Sequence, residues 1–223
     1  ITTGLVGSEM CIRDRYDYDE GKSHQWDALA QPSGFGFNWS SNYTVYLETL
    51  EQFDFTDGTS GMLDRSIYDD ATEIDPNWFF EMRDPRMKAS IFYPGSSFKG
   101  GTVHFHRSMS GSLSGWPRTG PSKHIGSMAT GLLIRKRTNP ETPDATRSST
   151  DYIIFRLGEI ILNYVEAAFY LNDPNGDMLA NLNNLRDRAG MPSLSIGQVS
   201  QDKIRQERSC LLYTSDAADD GHS

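Results

Sequence analysis

The chain has 223 residues and carries 30 Asp and Glu against 21 Lys and Arg, a formal net charge of −9 with its histidines neutral. That balance excludes the basic footprint that nucleic-acid binding requires. The two cysteines, Cys11 and Cys210, sit one in each end stretch, so neither a disulfide framework nor a thiolate metal cage is supported, and no apolar run is long enough to cross a bilayer.

The two ends have a common origin. A nucleotide string that encodes Cys-Leu-Leu-Tyr-Thr-Ser (Cys210 to Ser215) encodes Met-Cys-Ile-Arg-Asp (Met10 to Asp14) on its opposite strand, in another frame. Both tails resemble the translation of a sequencing-library adapter. Residues 1–15 and 209–223 are therefore set aside from the fold reasoning, as a processing scar would be. The remainder, residues 16–208, has no cysteine, stays acidic and reads as an internal piece of a longer protein.

In chain order, residues 16–30 (YDYDEGKSHQWDALA) are polar, with a short helix expected around Trp26. DYDEG resembles the start of a calcium loop but lacks the bidentate Glu at loop position twelve, so an acidic turn is the plainer reading. In residues 31–46 (QPSGFGFNWSSNYTVY), Phe35, Phe37 and Trp39 alternate as on one face of a half-buried strand. The same stretch also reads as a loop offering a sugar an aromatic platform. Trp39 and Tyr43 would stack on the apolar C–H face of a pyranose, and Asn38 would meet its hydroxyls. Residues 56–74 are a Gly/Asp/Ser-rich loop. Asp75-Pro76 then opens a short helix that includes Trp78, a further candidate ring. Arg83-Asp84-Pro85-Arg86 reads as a bend tied by its own charges. Met87 to Tyr93 alternates as a strand, ended by Pro94-Gly95.

Residues 99–127 form a long Gly/Ser-rich loop, of the length that usually serves a function. Trp116 in SGWPRTG is either a second ligand contact or a pin holding the loop to the body. His104 and His106 share a strand face, but two imidazoles are an incomplete metal site, and His124 is an unplaced third. Arg135-Lys136-Arg137 is too short a basic run for a polyanion and reads as packing charge or a solvated face. Residues 140–150 are a polar linker whose Ser149, Thr150 or Asp151 would cap a long helix.

That helix, DYIIFRLGEIILNYVEAAFYLND from Asp151, is apolar nearly all round and so reads as buried. Asp173-Pro174-Asn175-Gly176 turns the chain. A second helix comes next, with Met178, Leu182, Leu185 and Ala189 at helical spacing, Gly190 at a left-handed cap and Pro192 blocking continuation. The two form an antiparallel hairpin, the unit of a tetratricopeptide-like array. Arg156 and Glu159 (or Glu166) are expected to pair with Arg186, Arg188 or Glu207 of the later helices, because unpaired buried charges are strongly disfavoured.

FRLGEIILNYVEAAFYLND, NNLRDRAGMP and IRQER, preceded by RDPRMKASIFYPGSSFKG (Arg83 to Gly100) and TGLLIRKRTNPE (Thr130 to Glu141), resemble the C-terminal part of the SusD/RagB family. These are outer-membrane, glycan-binding lipoproteins of Bacteroidetes. The resemblance implies a mainly α fold of tetratricopeptide-like hairpins with long irregular loops and a few short strands. It also implies a surface-exposed, non-catalytic protein that captures oligosaccharides and delivers them to a TonB-dependent, SusC-like barrel transporter. Membrane attachment would come only through an N-terminal lipid anchor missing here, and the DPR arginines would be structural.

No nucleophile elbow, phosphate-cradling glycine loop or credible metal set marks a catalytic site, and no cofactor or metal is expected. The ligand-binding candidates are Asn38, Trp39, Tyr43, Trp78 and Trp116. The alternatives to a glycan binder are a peptide- or protein-binding helical-repeat scaffold and, further off, a glycoside hydrolase with an unmarked carboxylate pair.

Overall fold

The computed structural model describes residues 11–32, 35, 43–64, 77–103, 131–172 and 177–212. Its elements in order are β1 (Cys11–Asp14), α1 (Trp26–Ala30), α2 (Leu47–Glu51), α3 (Pro85–Ser90), β2 (Ile91–Phe92), β3 (Ser97–Phe98), β4 (Gly101–Thr102), β5 (Leu133–Ile134), β6 (Tyr152–Arg156), α4 (Leu157–Tyr170), α5 (Asp177–Arg188) and α6 (Gln201–Leu212). The architecture is mainly helical, and among the described residues the strands form the antiparallel pairs β1–β6, β2–β5 and β3–β4.

The hairpin is present. Leu162, Val165 and Ala168 of α4 meet Met178, Leu182 and Leu185 of α5, and Ile204 of α6 closes the cluster. Gly190 is left-handed at φ +77. The amide of Met191 reaches back to the Arg186 carbonyl at 2.9 Å and that of Gly190 to Asp187 at 2.9 Å. This paired return is what lets a glycine end a helix.

Two features of the hairpin differ from the sequence reading. Residues 152–156 are strand β6, not helix, so α4 begins six residues later than expected. The run Tyr-Ile-Ile-Phe is β-branched and aromatic, and pairing with β1 fixes its extended preference. Neither Ser149, Thr150 nor Asp151 caps α4; Arg156 stands at that position without a side-chain cap, and Asp151 accepts a hydrogen bond from the Tyr16 amide instead. Nor is α4 buried all round. Ile160 is 52% exposed, and Leu171, just past the helix end, 79%, because only one side of the helix faces α5 and α6.

The Arg83-Asp84-Pro85-Arg86 bend is the second anchor. Arg83 is fully buried and donates to the carbonyls of Phe79 (2.8 Å), Phe53 (2.8 Å) and Gly61 (2.9 Å). Asp84 accepts from the Arg86 amide at 2.9 Å and so caps α3, with Pro85 in its first turn. That cap overrides the apolar alternation, and the expected strand from Met87 to Tyr93 is instead helix through Ser90, with only Ile91–Phe92 extended. The helix after the aromatic stretch, α2, is short. Residues 43–45 run extended beside β5, where Val45 bonds Leu132 and Ile134 bonds Tyr43.

Burial works against the Arg86 charge, but the Asp84 carboxylate that it grips and nearby Glu207 more than compensate, holding the guanidinium more firmly protonated than usual. Glu207 takes Arg86 at 2.8 Å on one side and Arg186 on the other, tying α3, α5 and α6 together. The expected partners for Arg156 and Glu166 are corrected: Arg156 donates to the Leu211 carbonyl, and Glu166 pairs with Arg208 at 2.8 Å near the surface. Cys210, Leu211 and Leu212 are buried at the end of α6, so both adapter-like stretches contribute backbone to these elements.

Beside this core, Glu81 accepts from Tyr93 and pairs with Lys88. Lys88 and then Tyr93 hold the Glu81 carboxyl below its ordinary range, while burial and then Glu81 push the Tyr93 phenol above its ordinary 10.0. A phenol whose folded pKa is raised contributes stability that is full below pH 10.0 and falls as pH rises above it. Glu81 does the reverse, losing its contribution as pH falls below 4.5. Melting temperature measured from pH 2 to pH 11 should therefore fall in both arms, and Tyr93→Phe should flatten the alkaline arm and also soften the acid arm, since Tyr93 helps hold the Glu81 carboxyl down.

Candidate functional site

Of the five nominated ligand contacts, Asn38, Trp39 and Trp116 lie outside the described residues, as do His104, His106 and His124. Trp78 stands in a π-helical turn, Asn77–Glu81, with its side chain outside the description. Tyr43 is described. Phe35, at the start of the aromatic stretch, is buried with Phe92, Phe98, Val103 and Leu133, so that ring is core.

Tyr43 is 37% exposed, on the extended segment that β5 holds in place. Its ring stacks on Trp26 with centroids 5.2 Å apart and planes 20° from parallel. Trp26 opens α1, as the short-helix reading anticipated, and is pinned at both ends. Its indole N–H donates to the Lys136 carbonyl at 3.1 Å, and its amide donates to His24 Nδ1 at 3.1 Å. His24 Nε2 lies 2.8 Å from the Thr150 carbonyl, which assigns the imidazole proton to Nε2. Neither ring of the pair can swing freely, so the exposed face of Tyr43 is presented in a fixed orientation.

The basic run lies against rings, as the packing-charge alternative held. Arg135 sits 5.2 Å over Phe92, and Lys136 Nζ donates to the Leu211 carbonyl at 2.6 Å. Arg137 lies 4.9 Å over Trp26 and 4.4 Å over Tyr152. Burial lowers the Arg137 pKa, against the opposing pull of Tyr152, Tyr16 and Asp27. Trp26 and Arg137 were not nominated from sequence. The only signal for them is an aromatic and a cation 111 positions apart, which no local pattern connects.

An open groove of about 570 Å³ adjoins this region along the same loop, lined by Phe35, Lys99, Pro140, Thr142 and Asp144 among others. Asp27 joins the two, accepting from the Asn139 amide at 2.7 Å and the Thr142 hydroxyl at 3.3 Å. Lys99 donates to Gln31 Oε1 at 3.1 Å; burial lowers its pKa, with Asp27 opposing. Asp144 accepts from the Thr146 hydroxyl and amide, which hold its carboxyl below the ordinary range. Phe35 and Lys99 stand at the edges of the two loops singled out in the sequence, so the groove opens between their beginnings.

Chemically, the arrangement offers stacking surface and hydrogen-bonding groups. Among the described residues, no cluster of three His, Cys, Asp or Glu is placed to hold a metal. DYDEG is an acidic turn in which Asp17 bridges to Lys22 and accepts from the Asp19 amide. No helix among the described residues is long and apolar enough to cross a membrane.

The model of the SusD family matches residues 11–213. Among solved structures, the chain is similar to a SusD-like carbohydrate-binding protein from Bacteroides fragilis, at 24% identity and a TM-score of 0.70 over 94% of this chain and 40% of that one. A second SusD-like protein from Bacteroides fragilis matches at 23% identity and a TM-score of 0.67, over 97% of this chain and 43% of that one. Surface glycan-binding protein A from Bacteroides uniformis matches at 15% identity and a TM-score of 0.50, over 100% of this chain and 40% of that one. The chain thus spans about two fifths of the length of these proteins. No curated protein matches.

Proposed function

The chain belongs to the SusD family, and from that premise we propose that it is part of a cell-surface protein that captures oligosaccharides without catalysis. The observation that carries this reading is the half-exposed Tyr43 ring held flat on Trp26. A pyranose packs its C–H face on such a ring, and a ring already immobilised loses little entropy on binding. The adjoining groove adds the hydroxyl, carboxylate and ammonium groups that a sugar's hydroxyls need. Asn38, Trp39 and Trp116 are proposed as further contacts, with Trp78 as a fourth.

SusD-like proteins are typically attached to the outer membrane and face outward, and two of the structures above are named for carbohydrate or glycan binding. The same role is proposed here, with delivery of the captured glycan to a TonB-dependent barrel transporter as its purpose. Isothermal titration of the chain against soluble glycan pools tests the reading. Saturable binding is expected, weakened about tenfold by Tyr43→Ala, a loss of about 1.4 kcal/mol. Release of shortened products from the same glycans would overturn the non-catalytic reading.

A further inference from the structure

The rings that pack against Arg137 leave its hydrogen-bond donors unused. Its backbone is left-handed at φ +69, a conformation that costs a non-glycine residue about 1 kcal/mol and that persists where the surroundings impose it. Its guanidinium lies against the faces of Trp26 and Tyr152, which fix the plane of the fork. Its Nε is buried with no acceptor, and its Nη groups make no hydrogen bond to any described residue.

The other arginines of the interior are treated differently. Arg83 spends its donors on carbonyls, and Arg86 and Arg186 theirs on Glu207 and its neighbours. The carboxylate that pulls on Arg137, Asp27, is already engaged by Asn139 and Thr142. A half-buried guanidinium held against two rings, whose Nη donors meet no acceptor among the described residues, is a candidate anion site.

Its neighbour narrows the anion. Trp26 is in ring contact with both Arg137 and Tyr43, so the guanidinium and the phenol ring flank one indole within reach of a single oligosaccharide. We propose that Arg137 receives the carboxylate of an acidic sugar, so that the captured oligosaccharide contains uronic-acid residues, with the ring of the saccharide stacked on Tyr43. This deepens the glycan-binding reading and rests on it. A planar carboxylate takes two parallel N–H donors from a guanidinium, which neither a neutral hydroxyl nor a lysine can reproduce.

The test is isothermal titration of the chain with an oligogalacturonate and with the same oligosaccharide after reduction of its carboxyls to alcohols. The acidic form is expected to bind at least tenfold more tightly at low salt. That preference should vanish in Arg137→Asn, a residue that tolerates left-handed backbone, and shrink in Arg137→Lys, which keeps the charge and loses the fork. Circular dichroism melts establish that each variant is folded, and if the Asn variant is not, the Lys variant carries the comparison. Equal binding of the two forms, or a preference unchanged in the variants, would overturn the inference and leave glycan binding standing. No binding of either form, with other glycans also silent, would remove both. Binding of an acidic peptide in place of either saccharide would assign the fork to a different class of ligand and overturn the saccharide inference.

Discussion

Glu207→Ala is expected to destabilise the chain by about 3–5 kcal/mol, enough to unfold a marginal domain. Its carboxylate is the one group that faces both Arg186 and Arg86, and all three side chains are largely buried. Removing it strands two guanidiniums in the interior. Among the described residues, Arg186 would keep the Pro192 carbonyl, at 2.8 Å, and Arg86 would keep Asp84. An unpaired buried charge costs several times what a surface ion pair contributes. The contrast is Glu166, which meets Arg208 at side-chain exposures of 34% and 24%. Glu166→Ala should therefore cost no more than about 1 kcal/mol, less than the sequence alone would suggest for an acid within an apolar helix. Urea denaturation of both variants reads the difference directly, as a large shift in midpoint for one and a small shift for the other at similar slope.

Arg83→Met is expected to cost about 3 kcal/mol or more, in spite of similar volume and added apolar surface. The carbonyls of Phe53, Gly61 and Phe79, with that of Leu50 at 3.3 Å, lose a shared charged donor, and each buried acceptor left unpaired costs about 1–3 kcal/mol. The corner cannot relax inward to repair the loss, because it is already as tight as the backbone allows. A Cβ on Gly61 would stand 2.2 Å from the Phe53 carbonyl oxygen. The amide of Asp84 also bonds the Asp54 carbonyl at 2.7 Å, so the bend and the 54–61 loop are fixed together. Thermal melts should show Arg83→Met and Arg83→Lys losing comparable stability, since a lysine at this depth cannot reach the same acceptors from one planar group.

These two anchors were legible in the sequence to different degrees. The α5 helix, its Gly190 cap and the DPR bend announce themselves through local chemistry: apolar spacing, a glycine before Pro192, and charges flanking a proline. The start of α4 was not legible, since Tyr152 to Phe155 is as apolar as the helix itself, and only pairing with β1 separates strand from helix. Met87 to Tyr93 misleads for a related reason, because a single cap at Asp84 outweighs the alternation after it. Pattern also overstated the burial of α4. Hydrophobicity records what a face prefers, whereas its exposure depends on what packs there, and Ile160 and Leu171 are uncovered. In the candidate site, Tyr43 could be nominated because aromatic and amide residues cluster around it. Trp26 and Arg137 could not, because the stack that joins them is made across more than a hundred residues.

The Tyr43 ring on Trp26 is proposed as the place where a saccharide docks. A crystal structure of the chain with the oligosaccharide that titrates most tightly tests this most directly. The expected result is a sugar ring lying flat against Tyr43 at van der Waals distance, about 4 Å, with its polar edge toward Arg137 or the Lys99–Asp144 groove. A saccharide seated elsewhere with the Tyr43 face bare, and an affinity indifferent to Tyr43→Ala, would contradict it.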